Sequence, residues 1–281
     1  MISPKQSNLQ RVSESRTIEV GATADAQLVL EGIRTLGGVI AVLCSTDGGF
    51  YRAPGALMGF CQDGTVIGDL SSGCIEADLA LHAASCWATG RPLTLRYGKG
   101  SPFFDIVLPC GGSIDVQLSP IPDANLLDQT LTDMAARKSA ALSLPGLPHL
   151  VFRPDPRVIV VGSTPEALQL HRIACAGGYD VTLDANPDLS RIDQRTAIVL
   201  MHHDHDKAIA QLRDALYTPA YWIGALGSHS TQSRRLAALR GLGVSRAELD
   251  RVRGPIGLIA SGRDPRTLAV SVLADIVQAA R

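Results

Sequence analysis

Residues 158–167, Val158-Ile159-Val160-Val161-Gly162-Ser163-Thr164-Pro165-Glu166-Ala167, read as a short apolar strand of the buried type that passes through a glycine turn into a helix ending near Gly177-Gly178. Val181–Leu183 gives a second strand, closing on Asp184. Ala197–Met201 supplies a third strand, Lys207–Leu216 a helix, Tyr221–Ile223 a fourth strand and Ser230–Leu239 another helix. This regular alternation predicts a doubly wound parallel sheet of the Rossmann type over residues 157–281.

Upstream the texture differs. Residues 121–156 are dense in proline, with a modest helical stretch over 124–136, and read as an inter-domain linker. Residues 21–120 mix strands and helices without βα alternation, which predicts an α+β domain. Within it, Asp63-Gly64 between apolar runs marks a hairpin. A second hairpin is expected between the strand-like runs Phe103–Leu108 and Ser113–Leu118. Residues 1–20 read as a polar leader. The expected fold class is therefore α/β, an N-terminal α+β domain followed by a C-terminal Rossmann-like domain.

Composition narrows the function classes. A formal net charge of −1 and 4% aromatic residues leave neither a basic field nor stacking platforms for nucleic acid. No apolar run approaches the roughly 18 residues that span a bilayer, and no signal-peptide core opens the chain, so a cytoplasmic protein is expected. The six cysteines lack C-x-x-C spacing, which argues against a zinc ribbon or a thioredoxin-type motif. Cys44, Cys61, Cys86 and Cys175 lie in strand-like or helical runs and read as small buried residues.

Cys74 and Cys110 are different. Ser71-Ser72-Gly73-Cys74-Ile75-Glu76 leads into a helical run, with Ile75, Leu79, Ala83, Cys86 and Trp87 on one face. That places Cys74 in a first helical turn, where free N–H groups and the macrodipole favour a thiolate. Glu76 beside it is an acid or base for the thiol, or simply a first-turn carboxylate. Cys110 in Pro109-Cys110-Gly111-Gly112 falls at a hairpin tip, where Gly111 and Gly112 permit an anion nest. Cys74 could serve as a persulfide carrier.

Other candidates carry two readings each. Gly162 and Ala167 fit a dinucleotide fingerprint and Asp184 stands where a ribose contact belongs, but Thr164 occupies the position whose glycine lets backbone approach a pyrophosphate. An altered nucleotide site is expected, with NAD(P) not a cofactor. Met201-His202-His203-Asp204-His205-Asp206 is a capping loop, a ligand-facing loop carrying His202, or a metal site. Gly227-Ser228 before a helix is an anion site or a plain capped turn. Arg52 could pair with a phosphate, or be one more exposed arginine.

Arg52-Ala53-Pro54-Gly55-Ala56-Leu57-Met58, Gly73-Cys74-Ile75-Glu76 and Pro109-Cys110-Gly111-Gly112 together resemble the N-terminal signature of the XdhC/CoxI family. Ile223-Gly224-Ala225-Leu226-Gly227-Ser228, Pro255-Ile256-Gly257-Leu258 and the closing run Leu268–Val277 are similar to its C-terminal half, in the family's order. Two departures stand out: Gly162-Ser163-Thr164-Pro165 replaces a Gly-x-Gly-His loop, and His229-Ser230 follow Gly227-Ser228 where the family is basic.

The resemblance implies an accessory protein that binds the molybdenum cofactor, holds it for sulfuration and delivers it to a molybdenum hydroxylase apoenzyme of the xanthine dehydrogenase, aldehyde oxidase or CO dehydrogenase type. That role is a chaperone's rather than a turnover enzyme's. It carries a cysteine desulfurase or other sulfur donor as a further partner, and a homodimer as an expectation. The cargo, molybdopterin, is anionic and sulfur-rich, so Cys74 and Cys110 are expected to face one cleft as soft ligands for its molybdenum. Gly73, Gly111 and Gly112 would meet its anionic part, and Arg52, Gly227 and Ser228 would lie near its phosphate. The alternatives are an NAD(P)-linked oxidoreductase using the second domain and a thiol sulfurtransferase using Cys74.

Overall fold

The structure, a computed structural model, describes residues 16–21, 23–102, 108, 111–259 and 264–280. It divides into two units, Met1–Pro154 and Asp155–Arg281. The first contains β1 (Thr17–Val20), α1 (Thr23–Leu36), β2 (Gly38–Asp47), β3 (Leu57–Cys61), β4 (Val66–Gly68), α2 (Glu76–Thr89), β5 (Leu93–Gly98), β6 (Ser113–Ile121), α3 (Asp128–Ala135), β7 (Ala140–Leu142) and β8 (His149–Phe152).

β2 is apolar almost throughout because both its faces are covered. Ile40, Val42 and Cys44 pack with Val29, Leu30 and Ile33 of α1. Val39, Ala41 and Leu43 face Leu79, Ala83 and Cys86 of α2. Around β2 the sheet runs β4-β3-β2-β6-β5, antiparallel at every pairing. The strand register brings the loop ends into line. Asp47 lies opposite Ser113 and Gly98 opposite Ser113 from the other side, while Val42 faces Leu57 and Met58 faces Gly68. The loops after β2, β4 and β5 therefore all leave one edge of the sheet.

The expected linker is structured instead. β7 and β8 pair antiparallel, and β8 pairs in parallel with β1, so residues 17–20 are a strand rather than part of a polar leader. Ile18 and Val20 alternate with exposed neighbours, and with Leu150 and Phe152 they bury apolar area against α1. The prolines of this stretch lie outside β7 and β8, where no ladder N–H is required of them.

The second unit contains β9 (Arg157–Val161), α4 (Pro165–Ala176), β10 (Asp180–Leu183), β11 (Thr196–Leu200), α5 (His205–Leu216), β12 (Trp222–Ala225), α6 (His229–Gly241), α7 (Arg246–Leu249), β13 (Val252–Arg253) and α8 (Pro265–Ala279). Its sheet is parallel throughout, in the order β10-β9-β11-β12-β13. Val158, Val160, Ala197 and Val199 pack on α4 and α8, while Ile159, Val161, Ile198 and Leu200 pack on α5. Burial on both faces, with β9 central, is the doubly wound arrangement that the alternation implied.

Cys44, Cys61 and Cys86 are buried, and burial pushes the Cys44 thiol up to about 12 and that of Cys86 to about 11. Cys175 departs from expectation. α4 buries Ala167, Leu170 and Ala174, and Cys175, one residue off that face, is exposed beside His171 (Sγ to Nε2 3.7 Å). Trp87 also turns partly outward, at 36% exposure. No helix among the described residues is long and apolar enough to cross a membrane.

Candidate functional site

The loop from Asp69 to Ile75 leaves the edge of the first sheet after β4. Its turn is tight: Ser72 and Gly73 both take positive φ, 54° and 99°. α2 begins only at Glu76, with Ile75 as its cap residue. Cys74 thus lies ahead of the helix, not in its first turn as expected. It is exposed and unpaired with another cysteine.

Glu76 defines this loop. Its Oε1 accepts from the N–H groups of Ser71 (2.6 Å) and Leu70 (3.3 Å). Its Oε2 accepts from Ser71 Oγ (2.5 Å), Gly73 N (2.9 Å) and Ile75 N (3.1 Å). The backbone nest around Gly73 is therefore filled by the chain's own carboxylate, not open to an outside anion. Burial works to raise the Glu76 pKa, but the donors from Ser71 and the backbone outweigh it and hold the group below the usual glutamate range. An ionised carboxylate carrying this many donors clamps the loop.

Asp69 closes the other side. Its Oδ1 accepts from Ser72 N (2.6 Å), and its Oδ2 receives the Tyr51 hydroxyl and Arg52 Nη2 (3.2 Å). Burial raises its pKa and these donors more than reverse the effect. Arg52 also reaches Asp25 (3.4 Å) and lies over the Tyr51 ring, 5.6 Å from the centroid. Arg52 and the Cys74 loop are thus joined through Asp69, which sequence reasoning passed over. Glu76 and Asp69 together take the N–H groups of Leu70, Ser71, Ser72, Gly73 and Ile75, and Cys74 stands among them. Below, Tyr97 Oη donates to Asp78 Oδ2 (2.6 Å), tying β5 to the first turn of α2.

The third loop of this edge runs between β5 and β6. Of the expected strand Phe103–Leu108 and the hairpin tip, residues 103–107 and 109–110 (Cys110 among them) lie outside the described residues, and Leu108 is in no strand. Gly111 N donates to Leu108 O (2.9 Å). Gly112 has a packing role, since a Cβ there would stand 2.0 Å from the Asp47 carbonyl.

In the second unit, Gly162 passes so close to β11 that a Cβ would lie 2.3 Å from Met201 O. Thr164 caps α4 by accepting from Ala167 N (3.3 Å), and its hydroxyl donates to Met201 O (3.0 Å). Glu166 follows in the first turn. A pyrophosphate at this turn would meet a threonine side chain and a carboxylate of its own sign. Asp184, exposed at the end of β10, accepts from Asn186 N (2.9 Å). His202 Nε2 lies 2.7 Å from Gln211 Oε1, and Asp204 caps α5 through Lys207 N (3.0 Å). Among the described residues no three His, Cys, Asp or Glu side chains gather as metal ligands. Ser228 caps α6, accepting from Thr231 N (3.2 Å) next to Gly227.

Residues 158–276 match the family described as XdhC Rossmann domain, and residues 35–98 match the XdhC and CoxI family. Over 262 residues the chain is 37% identical to the Escherichia coli K12 protein named molybdenum cofactor insertion chaperone PaoD, covering 85% of this chain and 82% of that one. The chain belongs to the XdhC and CoxI family. A Bacillus subtilis 168 relative, named as a probable xanthine dehydrogenase subunit, is 24% identical over 85% of this chain and 92% of its own. A crystal structure titled as a xanthine dehydrogenase from Bacillus halodurans shares the fold, with a TM-score of 0.71 at 22% identity over 90% of this chain and 94% of that one.

Proposed function

We propose that this protein binds the molybdenum cofactor, holds it while a terminal sulfur is installed and passes it to an apoenzyme of the xanthine dehydrogenase class. The reading is carried by the family relationship to a chaperone named for that cargo, together with an exposed cysteine on a loop clamped by Glu76 and Asp69. Cys74 offers a soft sulfur to molybdenum or to an incoming sulfane sulfur. Glu76 and Asp69 fix the backbone on both sides of it, so that the thiol is presented without collapse of the loop. Cys110, which lies between β5 and β6 in the sequence, is the proposed second sulfur.

The charges at this edge divide the cargo's contacts. Asp25 and Asp69 flank Arg52, and the Arg52 pair with Asp25 is the longer and more exposed one. Arg52 therefore takes an anionic group of the cargo by giving up Asp25, and the Gly73 nest contributes none of its N–H groups. Gly227 and Ser228 are the proposed phosphate contacts of the second unit. Sulfur donor, apoenzyme and a second copy of this chain are the proposed partners, in a cytoplasmic setting.

Protein purified from molybdenum-replete cells and then oxidised should release a fluorescent pterin. Cys74→Ala and Cys110→Ala should each cut both pterin retention and activation of the target apoenzyme. A protein that carries no pterin and takes up none when it is supplied would overturn the assignment.

A further inference from the structure

The second unit holds two strand–glycine–helix turns on one sheet edge, and their charges are opposite. At β9–α4, the turn is followed by Glu166 in the first helical turn. α5 is capped by Asp204 and carries Asp206, α7 has Glu248, and α8 is capped by Asp264. α6 alone among the described helices of this unit starts without a carboxylate at its cap or in its first turn. Thirteen residues long, it keeps a helix-dipole positive end that its own sequence leaves uncompensated.

A second, independent observation lies beneath the same turn. Arg235, 3% exposed, sends its guanidinium back along α6. Nη2 donates to Leu226 O (3.0 Å) and stands 3.6 Å from where a Cβ of Gly227 would be. Nη1 donates to Gln232 Oε1 (2.9 Å), while Nε is buried with no partner. Among the described residues no carboxylate pairs with this arginine. Burial alone disfavours its charge, which is costly to keep in the interior unless something outside answers it. Buried charge is also weakly screened, so its field reaches the turn above.

We propose that the Gly227–Ser230 turn binds a phosphate monoester or diphosphate, with the α6 N–H groups as donors and buried Arg235 as the counter-charge. The site lacks the basic residues expected directly after Ser228, and the positive charge comes from below, two helical turns along. Only the identity of the ligand rests on the cargo reading above; the anion site itself does not.

Calorimetry on the full chain with inorganic phosphate and pyrophosphate tests it, using wild type, Ser230→Glu, Arg235→Gln and Arg235→Lys, each melted in parallel. Ser230 is exposed in the first turn, so Ser230→Glu should fold at least as well while its carboxylate occupies the anion's place. Pyrophosphate affinity should fall about tenfold or more in Ser230→Glu and Arg235→Gln, and stay within about threefold of wild type in Arg235→Lys. Absence of saturable binding by wild type overturns the proposal. So does Arg235→Gln that melts lower yet binds pyrophosphate as wild type does, since Arg235 is then only a structural link. Pterin retention separates the sources. If Ser230→Glu loses pyrophosphate and pterin together, the ligand is the cargo's phosphate. If it loses pyrophosphate and keeps pterin, the site serves another phosphate ester and only the cargo assignment falls.

Discussion

The Cys74 loop and the Gly227 turn are built from the same materials, serine and glycine ahead of a helix, and they solve opposite electrostatic problems. In the first, Glu76 reaches back and Asp69 forward to take up five backbone N–H groups, so the loop carries its own anions. In the second, Ser228 satisfies one N–H, no carboxylate follows, and a buried arginine adds positive charge underneath. A helix start beside glycines is therefore not enough to identify an anion site. The deciding factor is whether a side chain of the same protein already fills it. In the first loop the N–H groups are taken up and the cysteine is left exposed; in the second, no carboxylate of α6 stands at the N–H groups.

The sharpest way to break this contrast is Glu76→Ala. It strands several loop donors at once and should cost about 3 kcal/mol of stability in urea melts. Amide exchange should rise over residues 70–75 and stay unchanged over 226–231. Asp69→Ala removes the link from Ser72 to Tyr51 and Arg52, and should cost about 1–2 kcal/mol by the same measurement. Of the two loops, acid should act on the first. Both carboxyls titrate lower in the folded than in the unfolded protein, so the stability they contribute is present above about pH 4.5 and is lost as pH falls through their folded values. Melting temperature in that range should drop less steeply in Glu76→Gln than in wild type. Ser228→Ala removes only the α6 cap, with an expected cost of about 1 kcal/mol. Cys74→Ser, at an exposed site, should change stability by less than about 0.5 kcal/mol while abolishing cargo handling; a large stability loss there would make Cys74 structural.

Much of the second unit could be read from the chain. Val158–Val161 and the strands after it are short apolar runs whose burial on two faces follows from their composition, and the intervening helices repeat at helical spacing. The capped turn at Gly227-Ser228 was visible too, because a cap is a local interaction. Arg235 was not: nothing adjacent in sequence marks an arginine on the buried side of α6. The proline-rich stretch misled for a similar reason. β7 and β8 are short and gain their stability from β1, more than a hundred residues earlier.

By itself the sequence determined the two-part organisation, the parallel sheet, the buried cysteines of the first unit and the prominence of Gly73-Cys74, all of which depend on periodicity or on residues close along the chain. A carboxylate three residues after Gly73 was even a local hint that Glu76 turns back on the loop. Only the tertiary structure decided that this carboxylate fills the nest, that Asp69 joins Arg52 to the loop, and that a buried guanidinium sits under Gly227. The physical reason is that charge compensation depends on distance in space. Even partners close along the chain, such as Glu76 and the 70–75 backbone, are aimed by the turn between them, and periodicity does not record that direction.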